Sequence, residues 1–154
     1  MLRAITRLIV IACCLGAVGA ARAQPKDIPI APDVIIEIPA ADIPKELAAF
    51  SGKWFGPFNG VRTGAYMSDA VIIVEKIASA SAIQVFYAGI GRFRTNSGQP
   101  WAYRVSGAFL DGTLQFKIGD NRVVECKLNS DGTMSVQSSS STAANRGTFR
   151  RLAN

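Results

Sequence analysis

The sequence predicts an all-β protein, a single eight-stranded antiparallel up-and-down meander barrel. Three observations lead to this prediction. From residue 53 onward, runs rich in Val, Ile, Phe, Tyr and Thr alternate with short turn segments. Three of those turns, at residues 111–112, 119–121 and 130–132, carry the Gly, Asn and Asp that tight hairpins need. The runs number eight, and a meander of that many strands hides its two edges by closing on itself.

The eight predicted strands are separated by short connections, so each is expected to pair with the next one along the chain. They span residues 53–58, 70–77, 82–90, 101–109, 113–118, 122–128, 133–139 and 146–152.

Alternation of side chains sorts the faces of most strands. In the fifth strand Leu114 and Phe116 point to one side and Gln115 to the other, which indicates an apolar interior and a polar exterior. The second and third strands are apolar on both sides, so their orientation stays open; their outer faces are candidates for cover by the segment before the barrel. Glu75 and Glu125 are predicted to lie on solvated strand faces.

The first 23 residues have the parts of a secretory signal peptide. Two arginines precede an apolar run over residues 8–20, and a small-x-small cleavage site ends at Ala23. The protein is therefore expected to be exported, to the periplasm or outside the cell. A lipoprotein anchored through Cys13 is the alternative.

Residues 24–50 form a Pro-rich lead-in, with five of the seven prolines of the chain before residue 45. Proline fixes φ and removes a donor, so this lead-in is expected to be extended, with one possible helical turn near its end. Its apolar stretch at residues 33–38 has two interpretations: a linker lying on the barrel wall, or an arm that docks on a partner. The barrel domain is assigned to residues 51–154.

Charge and composition exclude several functions. The full chain carries a net charge of +6, but three of its 17 basic residues leave with the signal, so the mature chain has 14 basic and 11 acidic residues. That balance gives no indication of nucleic acid binding, and no stable membrane span is expected after cleavage. There is no His, which excludes His-based acid–base catalysis and ordinary zinc sites. Cys126, the one mature cysteine, is predicted to be buried. We expect no enzyme activity, no cofactor and no metal.

One rim of the barrel is predicted to be looser than the other. The connections after the first, third and seventh strands are longer than those after the second, fourth and sixth, while the short connection after the fifth shares their end. Function usually sits at the looser end of such scaffolds. An eight-stranded barrel is just wide enough either to be filled by side chains or to hold one small ligand, and both remain open. The candidate ligand-binding residues at this rim are Phe58, Tyr66, Arg92, Phe93, Arg94, Trp101 and Tyr103.

Two short motifs carry a resemblance. Gly52-Lys53-Trp54 opens the first strand, and Gly147-Thr148-Phe149-Arg150-Arg151-Leu152 closes the last. Together they resemble the calycin superfamily of small barrels, which includes lipocalins, fatty-acid-binding proteins and avidins. The resemblance implies that Trp54 packs at the closed end against a basic residue of the last strand, Arg151 or alternatively Arg150. The chain is shorter than a lipocalin, lacks a terminal helix and a disulfide, and has no biotin-binding set, so no specific family or ligand is identified.

Two main functions follow as hypotheses. The first is an exported binding module for a small apolar or amphipathic ligand. The alternative is a protein-binding module that uses the N-terminal arm, similar in layout to small periplasmic protease-inhibitor barrels, although the disulfide of those proteins is missing. An envelope component with no ligand is the residual possibility.

Overall fold

A computed structural model describes residues 27–91, 98–119 and 121–153. Within them eight strands form a closed antiparallel barrel in which each strand pairs with its neighbours in sequence and the last pairs with the first. The predicted fold class is confirmed. The strands are β1 (Gly52–Gly60), β2 (Tyr66–Ser79), β3 (Ala82–Gly91), β4 (Pro100–Leu110), β5 (Thr113–Ile118), β6 (Arg122–Leu128), β7 (Met134–Ser139) and β8 (Ala144–Arg151).

Strand bounds agree with the sequence pattern most closely in the second half of the chain, where β5 and β6 have the predicted limits. The main difference lies between β1 and β2. Their pairing continues across a bulge to Asn59↔Tyr66, so β2 begins four residues before the predicted start at residue 70. The connections at residues 61–65 and 140–143 are therefore shorter than predicted, because the strands use residues that the sequence pattern assigned to loops.

The barrel interior is filled with apolar side chains through its middle and at one end. At that closed end Phe50 plugs the barrel, with its ring centroid 4.9 Å from that of Phe109. Phe50 follows α1 (Lys45–Ala48), the one helix among the described residues, which lies at the end of the lead-in. Within the described ranges no helix is long and apolar enough to cross a membrane. The fully buried interior side chains include Trp54, Phe58, Ile72, Val74, Val85, Leu114, Val124, Cys126, Met134, Val136 and Phe149.

A second apolar cluster lies outside the barrel and explains why β2 and β3 are apolar on both faces. Residues 27–38, which we call the strap, run across the outer wall of β1, β2 and β3. Ile28 is buried there, and Val34 and Ile36 pack against a cluster that includes Val71 and Phe86. The part of the lead-in that the structure describes is thus a linker lying on the wall of its own barrel.

Glu75 corrects one prediction: its side chain is buried, not solvated. It lies at a bulge in β2, where the register with β3 shifts, and is only 5% exposed. Arg104 of β4 donates two hydrogen bonds of 3.1 Å to its carboxylate. The same guanidinium donates a third, of 2.9 Å, to Asp33 of the strap. A buried carboxylate needs such a partner, and the strap covers the pair, so the ion network clamps the strap to the wall.

Candidate functional site

The rim opposite α1 is open and contains a cavity of about 350 Å³. It lies where β1, β3 and β4 approach the loops of this rim. Its volume is near the lower end of the range of about 300–1,000 Å³ that small-molecule sites occupy. Its lining combines aromatic side chains with a few polar ones: Phe58, Met67, Ser68, Tyr87, Gly91, Trp101, Tyr103, Ile118, Arg122, Ser138, Ala143 and Asn145.

Aromatic rings lead from the filled core to the mouth of this cavity. Tyr87 lies 5.6 Å from Phe116 of the core and 4.6 Å from Trp101, measured between ring centroids. Tyr103, 39% exposed, continues the series 6.0 Å beyond Trp101. Such tilted ring pairs are mutually stabilising, so the apolar side of the cavity is built before any ligand arrives.

A glycine seats the indole of Trp101. Gly89 is its register partner on β3, and a Cβ at Gly89 would overlap the six-membered part of the indole. The absence of a side chain at Gly89 therefore lets the ring lie across the strand and face the cavity.

The opposite side of the cavity is polar. Arg122 donates a hydrogen bond of 3.4 Å to the hydroxyl of Ser138, and both side chains line the cavity. Beyond them a second space of about 400 Å³ shares Tyr103, Ile118 and Arg122 with the first and is bounded by residues 140–142, two serines and a threonine. The cavity thus changes from aromatic at its floor to hydroxyl-rich and cationic at its mouth.

Burial shifts two titratable groups in and beside the interior. It raises the pKa of the Tyr87 hydroxyl well above its usual value, so the hydroxyl stays protonated. Burial likewise raises the pKa of the Cys126 thiol, which is fully enclosed in the core. A buried thiol of raised pKa is a packing residue and a poor nucleophile.

The closed end is sealed where the first and last strands meet. Arg151 pairs in register with Trp54, and its guanidinium carbon lies 4.2 Å from the centroid of the indole ring. The guanidinium also donates hydrogen bonds to the carbonyl oxygens of Ser51 and Ala49, just after α1. Arg150 is exposed and pairs in register with Phe55 instead. Of the two arginines that the resemblance offered, Arg151 contacts the indole.

Three of the seven sequence-predicted rim residues come together in the cavity: Phe58, Trp101 and Tyr103. Tyr66 was predicted in a loop; it is the first residue of β2 and is not among the cavity-lining residues. Arg92, Phe93 and Arg94 lie outside the described residues, as does the predicted signal segment with Cys13.

Sequence reasoning missed the polar side of the site. Arg122 and Ser138 each lie at the open-rim end of a strand, and alternation places Ser138 on the inward face with Val136. A polar side chain at an inward position next to a loose rim was the signal that could have found them.

No protein-family model, no curated protein and no solved structure matches this chain. The closed eight-stranded barrel is consistent with a calycin-like architecture, and no match identifies the superfamily.

Proposed function

We propose that this chain is an exported binding module that holds a small amphipathic molecule in the open-rim cavity. The observation that carries the proposal is the cavity itself, in which an aromatic floor formed by Tyr87 and Trp101 faces the guanidinium of Arg122. A concave site that combines apolar walls with a few convergent polar groups is the usual form of a small-molecule site.

The arrangement selects the ligand class. An apolar or aromatic part of the ligand gains most by replacing water between Phe58 and Trp101, where rings already line the wall. A polar or anionic part is better placed toward Arg122 and residues 140–142, since these offer hydrogen-bond donors. The ligand is therefore amphipathic, with its polar end directed to the mouth.

Two further arguments support the proposal. Small-molecule sites of β-barrels occur preferentially in the mouth of the barrel, which is where this cavity lies. The signal-like sequence of residues 1–23 supports export, where such a module would meet ligands from the surroundings.

Titration with 1-anilinonaphthalene-8-sulfonate, an anionic aromatic probe, tests the proposal on the protein that begins at Gln24. Ser138→Leu fills part of the cavity and removes the partner of Arg122, so it is expected to weaken probe binding at least about tenfold. Ser135→Leu is the matched control, because Ser135 lies on the same strand but is exposed on the outer wall. It is expected to bind the probe as the wild type does. Equal weakening in both variants, or none in either, would overturn the proposal.

The alternative of an N-terminal arm that binds a partner protein stays a prediction. It requires the strap to leave the wall, because Ile28 and Ile36 bury their apolar side chains against the barrel itself. Deleting the strap separates the two functions, since a cavity ligand would still bind to a folded remainder whereas an arm-dependent partner would not.

A further inference from the structure

The pairing of β4 with β5 stops well before β4 ends. It covers only Gly107↔Phe116 to Leu110↔Thr113, whereas β4 extends back to Pro100. β5 ends at Ile118 and continues to pair with β6 alone. Between the open rim and Gly107, one side of β4 therefore has no strand partner among the described residues.

Two hydrogen bonds determine which peptide groups face this gap. Gly91 donates its N–H to the carbonyl of Gln99, and Phe109 donates its N–H to the carbonyl of Ala80. The N–H and C=O groups of the odd-numbered residues of β4 are therefore directed to β3. Successive residues of an antiparallel strand direct these groups to opposite sides, so those of the even-numbered residues point away from β3. Ala102 and Arg104 consequently present their N–H and C=O groups to the gap.

The proline at the start of β4 fits this geometry. Pro100 is even-numbered, so its backbone nitrogen faces the gap. Proline has no N–H to donate, and no described strand lies there to accept one. Ala102 and Arg104 follow as two residues whose gap-facing donors and acceptors have no strand partner in the part of the chain that the structure describes. Exposed strand edges of this kind are templates for pairing with another extended chain.

An apolar groove continues from the free edge along the outer wall. It has a volume of about 580 Å³ and lies over the seam where β4 and β5 still pair. Its apolar lining includes Leu110, which is 55% exposed, and Val123. Lys117 lines the same groove, is exposed and makes no ion pair with a described residue.

We propose that the free edge of β4 and this groove bind an extended, acidic segment of a partner protein by strand addition. The main chain of the segment pairs with Ala102 and Arg104, an apolar side chain enters the groove, and an acidic residue meets Lys117. Strand addition obtains affinity from main-chain hydrogen bonds and specificity from such pockets. The cation Lys117 in the groove, unpaired among the described residues, together with the excess of 14 basic over 11 acidic residues after residue 23, favours an acidic partner over a second copy of the chain. This edge adjoins the open-rim cavity, because Tyr103, between Ala102 and Arg104, lines that cavity. Main-chain pairing is measured by amide exchange and not by the cavity probe, so the two proposals can fail independently.

Amide hydrogen exchange tests the free edge first. In the free protein the amides of Tyr103 and Val105 are expected to be protected by β3, whereas those of Ala102 and Arg104 exchange rapidly. A labelled peptide of alternating Val and Thr with two terminal Asp residues is then the probe for fluorescence anisotropy. Its binding should slow exchange at Ala102 and Arg104, and an N-methylated version of it should not bind.

Point variants test whether the peptide binds to the proposed residues. Ala102→Pro removes one donor at the edge and is expected to weaken binding about tenfold, a change that a strand edge tolerates. Lys117→Glu reverses the charge in the groove and is expected to weaken peptide binding severalfold. Because Lys117 is exposed, this variant should fold normally, so the test stays valid even if the proline variant misfolds. Lys45→Glu, on α1 at the opposite rim, is the control and should bind as the wild type does.

Three results would overturn the proposal. One is protection of Ala102 and Arg104 in the free protein. Another is equal binding of the N-methylated peptide or no binding of either peptide up to about 1 mM. The third is concentration-dependent dimerisation abolished by Ala102→Pro, which would assign the edge to a second copy of the chain.

Discussion

Trp54 and Arg151 lie face to face at the closed end of the barrel, with the guanidinium carbon 4.2 Å from the indole centroid. They are register partners on the first and last strands, so their contact spans the seam at which the meander becomes a closed barrel. The guanidinium also holds the carbonyls of Ala49 and Ser51, and thereby fixes the turn that follows α1 over the closed end.

Replacing Arg151 is expected to destabilise the fold. Arg151→Ala removes a cation–π contact and two charge-assisted hydrogen bonds, so the free energy of unfolding should fall by about 2 kcal/mol in urea denaturation. Arg150→Ala is the matched control: this neighbouring arginine is exposed, as Arg151 is, but pairs in register with Phe55 and not with the indole. Its loss should change stability by less than about 0.5 kcal/mol. Equal losses in the free energy of unfolding at both positions would mean that any positive charge on β8, and not the contact with the indole, stabilises the seam.

Gly89 is expected to control the position of Trp101. Gly89→Ala places a methyl group into the indole and 2.6 Å from the Asp69 carbonyl oxygen, which should cost about 2 kcal/mol of stability and weaken probe binding in the cavity. In a Trp101→Ala background the cost should fall to roughly half, because only the carbonyl contact remains. A double-mutant cycle measured by thermal unfolding checks this, and an unchanged cost in that background would refute the seating role of Gly89.

The strap is expected to stabilise the barrel through one face only. Ile36 packs against the outer cluster, whereas Ile38 is 93% exposed. Ile36→Ser should therefore lower the free energy of unfolding by about 1–2 kcal/mol, and Ile38→Ser should leave it within about 0.5 kcal/mol. Chemical denaturation of the pair measures the difference. A larger loss at Ile38 would show that the strap lies elsewhere in solution.

The clamp between Asp33 and Arg104 is expected to fail in acid. The hydrogen bond from Arg104 lowers the pKa of Asp33 below its ordinary value of 3.8. Because the folded pKa is lower than the unfolded one, Asp33 stabilises the folded state above about pH 4, and this contribution is lost as the pH falls through the folded pKa.

Urea denaturation at several pH values measures this loss. Wild type should be more stable than Asp33→Asn near pH 6, and the difference should shrink as the pH falls through the lowered pKa of Asp33. The exposed Asp42→Asn serves as the control. A stability difference that grows on acidification would contradict the proposed direction.

Much of this fold is readable from sequence, since local alternation and turn chemistry act over a few residues. β5 and β6 have the predicted bounds because they are short, alternate strictly and end at Gly- or Asn-containing turns. β2 is different: Tyr66, Met67 and Ser68 have no local strand pattern. They are extended because β1 pairs with Tyr66 and Ser68 across a bulge, and β3 also pairs with Ser68.

The features that local patterns could not predict depend on residues far apart in the chain. Glu75 is buried because Arg104, 29 residues later, and Asp33, 42 residues earlier, meet over it. Its position inside the apolar run of β2 was the only sign. The polar side of the cavity was missed for a similar reason, because Arg122 and Ser138 face Trp101 only after the barrel has closed.

The position of a bound small molecule in the barrel tests the proposed binding function most directly. Intermolecular nuclear Overhauser effects between bound 1-anilinonaphthalene-8-sulfonate and the isotopically labelled barrel measure this. We predict contacts from the probe to Phe58, Tyr87 and Trp101 at the open rim. Contacts confined to the outer wall, or to the closed end near Trp54, would contradict this prediction.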